Sequence, residues 1–229
     1  MVSSSQPLKS VLPARRSYAI AKTNQYHHGN LREALISSGL EMVERDGVES
    51  LTLRSVAKRI NVSHSAPYHH FGSKAHLLAA VADLGFSLMA QAVDAEIASI
   101  ETPGSYDRLK AVIGGYFRFA LARPSLFRLM FRPEMTHPDQ FPFLAEAEAR
   151  TFSILVEAVL ACQEEGCVAD CDPLPFAAFA WSTIHGLATL CIDRVIHETP
   201  LRTMPVETLL GHTVERIMKG MGATPPKRT

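Results

Sequence analysis

The chain has 229 residues, 47% of them hydrophobic, and its 23 Lys+Arg balance 23 Asp+Glu. That composition can bury a proper core, which excludes a chain disordered throughout, and the length allows one large or two small domains. The neutral total hides an asymmetry: residues 1–74 carry 10 Lys+Arg against 5 Asp+Glu, and residues 75–229 carry 13 against 18. A basic N-terminal third on an acidic remainder is the charge layout of a nucleic-acid module attached to a separate body.

Residues 1–29 read as a flexible basic arm. No Asp or Glu precedes Glu33, and Lys9, Arg15, Arg16 and Lys22 lie among Ser, Pro and small residues. Such an arm adds sequence-independent attraction to phosphates or enters a minor groove. A plain solvated tail has the same composition, and so does an organelle transit peptide, though no amphipathic repeat is present. No hydrophobic region follows the early basic residues to make a secretory signal, and no apolar run approaches the ~18 residues needed to span a bilayer. A soluble, cytoplasmic chain with no membrane partner is the expectation.

Residues 30–74 read as a three-helix head. Asn30 is placed to cap a helix running to about Arg45, with Leu31, Leu35, Leu40 and Val43 on one stripe and Gly47 ending it. Thr52 caps the next helix, where Leu53, Val56, Ala57 and Ile60 recur at helical spacing and leave Arg54, Lys58 and Arg59 outside. Leu51 sits where a hydrophobic staple reaches Val56. In the third element Ser63 is the expected cap, Val62, Ala66 and Phe71 face inward, and His64, Ser65, Tyr68, His69 and His70 face outward. The outward set carries hydroxyls and imidazoles that suit phosphates and base edges, with no carboxylate to repel them. Pro67 falls in the first turn, where most amides lack an intrahelical partner anyway. Ser73 then caps a helix that runs to about Ile100, with Leu77, Leu78, Val81, Leu84, Leu88 and Ala92 on one stripe, long enough for a rod between two domains.

From HHGNLREALI through GLEMVERDGVESLTLRSVAKRINVSHSAPYHHFGSKAHLLAAVA, about residues 27–82, the sequence resembles the TetR/AcrR family of transcriptional regulators. Its most specific parts are LTLRSVA, VSHSAPYHHF and Lys74. The resemblance implies that Tyr68, His69 and Lys74 grip phosphates, that Thr52 and Arg54 meet the backbone or a groove edge, and that Ser63, His64, Ser65 and Ala66 read bases. Two positions depart from the family pattern. Asn61 stands where glycine is usual, which the turn should tolerate because Asn adopts the left-handed conformation more readily than other side chains. His64 stands where a long basic side chain is common.

Residues 75–220 read as a helical ligand-binding and dimerisation domain, and 221–229 as a flexible tail. Helical patterns recur at about 106–122, 124–132, 142–166, 173–197 and 203–220, and nothing alternates as a strand would, so the fold class is all-α. Phe117, Phe119, Phe127, Met130, Phe131, Met135, Phe141, Phe143 and Phe152 crowd its first half, mostly as core. Phe117, Met130, Phe131 and Phe152 are the candidates to line a ligand cavity, with Trp181, His185 and Thr189 on one face of the helix PFAAFAWSTIHGLATLCIDRVI. Both readings of His185 stand, as a satisfied core histidine and as a ligand or dimer contact. The WSTIHG run is similar to the Trp-His-Gly (WHG) type of C-terminal domain. The family resemblance further implies a homodimer through the last two long helices, for which Leu187, Leu190, Leu209, Leu210, Val214 and Ile217 are suitable. A dimer reads two half-sites of a pseudo-palindromic double-stranded DNA operator about one helical turn apart.

The expected function is a ligand-responsive repressor, released from DNA by a small apolar or amphipathic effector. Cys162, Cys167, Cys171 and Cys191 lack the paired spacing of a zinc module, so neither a metal nor a cofactor is expected. A redox- or metal-responsive regulator using Cys162, Cys167 and Cys171 is the alternative. A helical enzyme is more distant: there is no phosphate-cradling glycine loop, HExxH or nucleophile elbow, and no catalytic residue is assigned.

Overall fold

In a computed structural model of the chain, the described residues are 31–102, 104–133 and 140–223. The basic arm, the Asn30 cap, Met135 and the tail from residue 224 lie outside them. Among the described residues there are eight α-helices and no strand: α1 (Leu31–Asp46), α2 (Leu53–Arg59), α3 (Lys74–Ala98), α4 (Ser105–Ala122), α5 (Pro124–Met130), α6 (Pro142–Glu164), α7 (Pro173–Ile192) and α8 (Val206–Gly220). One hydrophobic core runs from Leu35 in α1 to Met221 after α8.

Local chemistry sets the head. Thr52 and Ser55 form a reciprocal capping box: the Ser55 amide donates to Thr52 Oγ1 at 3.0 Å, and the Thr52 amide donates to Ser55 Oγ at 2.8 Å. Leu51 and Val56 are both fully buried. Helix α2 ends in a Schellman motif, with the Val62 amide donating to the Ala57 carbonyl and the Asn61 amide to the Lys58 carbonyl. Asn61 supplies the left-handed residue that this motif requires, at φ 57°. The element that follows is shorter than expected. It is one 3-10 turn, Ala66–His69, and Ser63 does not cap it, because its hydroxyl pairs with Ser65 Oγ. Pro67 at its start and Gly72 just beyond leave no room for another turn.

Helix α3 starts at Ser73, whose hydroxyl accepts from the His76 amide, and packs against α1, α4, α5 and α6. Its buried face is broader than one stripe. Leu84 and Leu88 are only half-buried, while Gly85, Phe86, Met89 and Val93 are buried, because helices cover α3 on several sides.

Four expected boundaries shift, the last helix beginning at Val206 and not at about 203. Helix α5 ends at Met130, and α6 ends at Glu164 in a second Schellman motif with Gly166 at φ 69°. The expected helix 173–197 stops at Ile192, because Arg194 turns left-handed at φ 61° and two short 3-10 turns follow. The expectation about apolar runs also needs correcting. By length and composition α3 and α7 are both apolar enough to cross a membrane. For α3 this reflects its place in the core, since 61% of its apolar window is buried; for α7 only 22% is. Leu210, Val214 and Ile217 of α8 are buried within the subunit's own core, whereas Leu190 on α7 is 44% exposed.

Candidate nucleic-acid interface and effector cavity

The end of the head remote from α4 to α8 presents the polar residues singled out in the sequence. Thr52, Arg54, Ser63, His64, Ser65, Tyr68 and His69 are exposed, and Ala66 is half-buried. Beneath them Pro67 and Phe71 are buried, with the Arg32 guanidinium 5.6 Å from the centre of the Phe71 ring. Tyr68 is 54% exposed, unusual for a large aromatic in so small a unit. Arg54 and Lys58 make no ion pair among the described residues, which leaves both charges available to phosphate. Arg59 is held by Glu41 at 2.6 Å. Lys74 is half-buried at the start of α3, its Nζ 3.7 Å from Glu49 Oε2, and Arg132 reaches the same carboxylate at 3.2 Å. A second link from body to head joins Arg123 to Glu44 at 2.7 Å.

The body holds a half-open cavity of about 400 Å³. Phe86, Met89 and Val93 of α3 form one wall, Val112, Ile113 and Tyr116 of α4 another. Phe131 just after α5, Phe152 and Leu155 of α6, and Trp181 and Ile184 of α7 complete it. The aromatic rings meet edge-on: Phe152 lies 5.8 Å from Trp181 at 67°.

Its polar groups are few and mostly paired. Tyr116 Oη accepts from Trp181 Nε1 at 3.3 Å and lies 2.8 Å from His185 Nδ1. Burial pushes the phenol pKa far up, so the tyrosine is neutral. The tautomer of His185 sets the direction of that bond: with the imidazole proton on Nε2, Tyr116 donates to Nδ1, and with it on Nδ1 the phenol oxygen accepts. Burial also lowers the His185 pKa, favouring the neutral ring. Thr151 Oγ1 donates to the Ala147 carbonyl at 2.9 Å. Glu148 lines the cavity as well, and burial raises its carboxyl above the ordinary range.

Of the residues proposed from sequence to meet a ligand, Phe131, Phe152 and Trp181 line the cavity. His185 sits behind it, stacked edge-on to Phe131 at 4.8 Å and bonded to Tyr116. Phe117 and Met130, 0% and 1% exposed, are core, and Thr189 lies a turn beyond the lining. Sequence reading passed over Tyr116 and Glu148. Tyr116 adjoins Phe117 in GGYF, and spacing alone does not choose between neighbouring aromatics; Glu148 lies within EAEAR, which reads as a solvated face. The four thiols are free: Cys162 and Cys167 are buried, Cys191 half-buried and Cys171 exposed. Among the described residues no group of His, Cys, Asp or Glu is arranged to hold a metal.

A helix-turn-helix head, joined by one 25-residue helix to a helical body that contains a cavity, defines a two-domain class in which one end has a polar face and the other a pocket. The comparisons name the family. "Bacterial regulatory proteins, tetR family" matches residues 35–81, and "Tetracyclin repressor-like, C-terminal domain" matches residues 109–213. The chain is 44% identical over 52 residues to the Tetracycline repressor protein class C of Escherichia coli, covering 23% of this chain and 24% of that one. It is 29% identical over 101 residues to the HTH-type transcriptional repressor KstR of Mycolicibacterium smegmatis, covering 44% and 48%. These alignments thus span about a quarter and about half of the curated relatives' lengths. A solved protein of unknown function from Rhodococcus sp. RHA1 superposes with TM-score 0.75 at 31% identity, covering 86% of this chain and 98% of its own. The chain belongs to the TetR family of transcriptional regulators. The matched C-terminal description is the tetracycline-repressor-like one, and the WHG subtype finds no support in it.

Proposed function

We propose that the protein is a cytoplasmic homodimeric repressor that holds a pseudo-palindromic operator until a small apolar or amphipathic effector enters the body. The observation that carries this reading is the continuity of α3. Capped at Ser73 directly after the polar turn, it runs for 25 residues, roughly 37 Å at 1.5 Å per residue, to present Phe86, Met89 and Val93 to the cavity. A rigid rod with the head at one end and the cavity wall on its flank tilts as a unit. An effector that fits the cavity better in one tilt thereby changes the separation of the two heads. Thr52, Arg54, Tyr68, His69 and Lys74 take the phosphates, and Ser63, His64, Ser65 and Ala66 the bases. The relatives described as repressors support that direction of control.

The exposed apolar face of α7 supports the dimer. Phe179 and Leu190 are 43% and 44% exposed, and Gly186 of α7 and Gly211 of α8 face open space where another helix can approach closely. Leu187 and Leu209, both half-buried, border the same seam. A thiol signal is less well supported, because burial raises the pKa of Cys162 and Cys191, opposite to what a reactive thiol needs.

Selection of binding sites from random duplexes, followed by footprinting and light scattering, tests the reading. The expected result is a dimer protecting two half-sites ~34 to 36 Å apart. Affinity should fall steeply with salt, and Lys74→Ala should lower the slope by about one counterion. A monomer on a single half-site, or an affinity indifferent to salt, would refute it.

A further inference from the structure

We infer that the effector is an amphipathic organic cation, an apolar chain or ring system bearing one amine or quaternary ammonium group, with Glu148 as its counter-ion. The inference deepens the proposed function and rests on its reading of the cavity as the effector site.

Apart from one carboxylate, the polar side chains at the cavity are already paired. Tyr116 Oη is occupied on both sides, by Trp181 Nε1 and His185 Nδ1, and the indole N–H is spent on the same oxygen. The Thr151 hydroxyl donates within its own helix. Glu148 is the charged side chain of the lining, and it makes no hydrogen bond or ion pair among the described residues. The nearby guanidinium of Arg150 lies 3.9 Å from both Asp83 and Glu146. The rest of the wall is aliphatic and aromatic.

An ionised carboxylate only accepts hydrogen bonds, so a ligand must bring positive charge or donors to satisfy it. A fully apolar ligand strips water from the carboxylate and returns nothing, and a ligand carboxylate adds like-charge repulsion. A cation satisfies it, and the faces of Phe131, Phe152 and Trp181 are attractive to the same charge. Burial opposes ionisation of Glu148, and the charge of a bound cation offsets it.

Trp181 is the single tryptophan of the chain and borders the cavity, so its fluorescence reports occupancy. The probes are decyltrimethylammonium, decanol and decanoate below their micellar concentrations, titrated into the full-length protein alone and into its complex with the selected duplex. The ammonium should bind at least about tenfold tighter than decanoate, and Glu148→Gln should weaken it by about tenfold while leaving decanol within about twofold. Glu148→Lys should reverse the preference toward decanoate. The unmodified protein decides the ranking even where a variant fails to fold. Decanoate binding as tightly as the ammonium, or an ammonium affinity unchanged by Glu148→Gln, overturns the inference. The effector-site reading then survives if whichever probe binds also releases DNA. Ammonium binding as expected without release of DNA keeps the cation site and removes the regulatory reading. Trp181 fluorescence unmoved by all three probes removes both.

Discussion

Gly85 of α3 and Met130 of α5 approach so closely that a Cβ at residue 85 would lie 2.8 Å from the Met130 sulfur and 3.0 Å from Leu126 Cδ1. Both neighbours are essentially fully buried, so they have little room to withdraw. This contact fixes the rod against the short helix that ends beside the cavity residue Phe131.

Gly85→Ala should therefore destabilise the fold by about 1–3 kcal/mol, the cost of overpacking a filled core. Pairing it with Met130→Ala should cost less than the sum of the two single changes, because the truncated side chain vacates the space the methyl needs. Urea unfolding of the four proteins in the cycle is the measurement; strict additivity would show that the two residues do not press on each other.

Tyr116→Phe should cost about 1–3 kcal/mol. It removes one oxygen and leaves two half-buried partners, His185 Nδ1 and Trp181 Nε1, without it. Urea unfolding followed by circular dichroism gives the loss, and the emission of Trp181 should shift as its indole N–H loses an acceptor. A variant as stable as its parent would mean that water or another group already serves these atoms.

The pH dependence of stability carries a sign that follows from His185. Burial holds its pKa below the ordinary histidine value of about 6.5, so the unfolded chain binds this proton more readily than the folded one. The contribution of His185 is present above about pH 6.5 and is lost as pH falls through the folded value. Burial raises the carboxyls of Asp83 and Glu148, which act in the opposite sense, so the difference between proteins is the measure and not the raw slope. The urea midpoint should fall less between pH 7 and pH 5.5 in His185→Gln than in the parent; parallel profiles would exclude His185 as a titrating group.

At the turn of the head, Asn61→Gly should leave stability within about 1 kcal/mol of the parent, since relief of the left-handed conformation is offset by a freer unfolded chain. Asn61→Val should cost roughly 1–2 kcal/mol, because a β-branched side chain at φ 57° meets the carbonyl that Asn tolerates. Thermal unfolding of the pair decides it, and a Val variant as stable as the Gly variant would show that the turn rearranges.

What the sequence by itself determined is what neighbours in the chain can decide. Thr52 and Ser73 cap their helices because a hydroxyl beside a free amide needs no distant partner, and Asn61 takes the left-handed turn because the Schellman motif closes within six residues. The helix periods, the all-helical class and the outward polar set from His64 to His70 are local in the same way. Tertiary structure decided which face of each body helix is filled and by what. Phe117 is core while the adjacent Tyr116 faces the cavity, because α3, α6 and α7 together surround that side of α4. Leu210 and Val214 close the subunit's own core while Leu190 is left to the exterior. Glu148, one charge among several in its run, borders the cavity only because α6 turns that side inward. Burial, and with it the pKa and chemistry of a side chain, is a property of the surroundings that packing supplies, and residue spacing along one helix does not contain it.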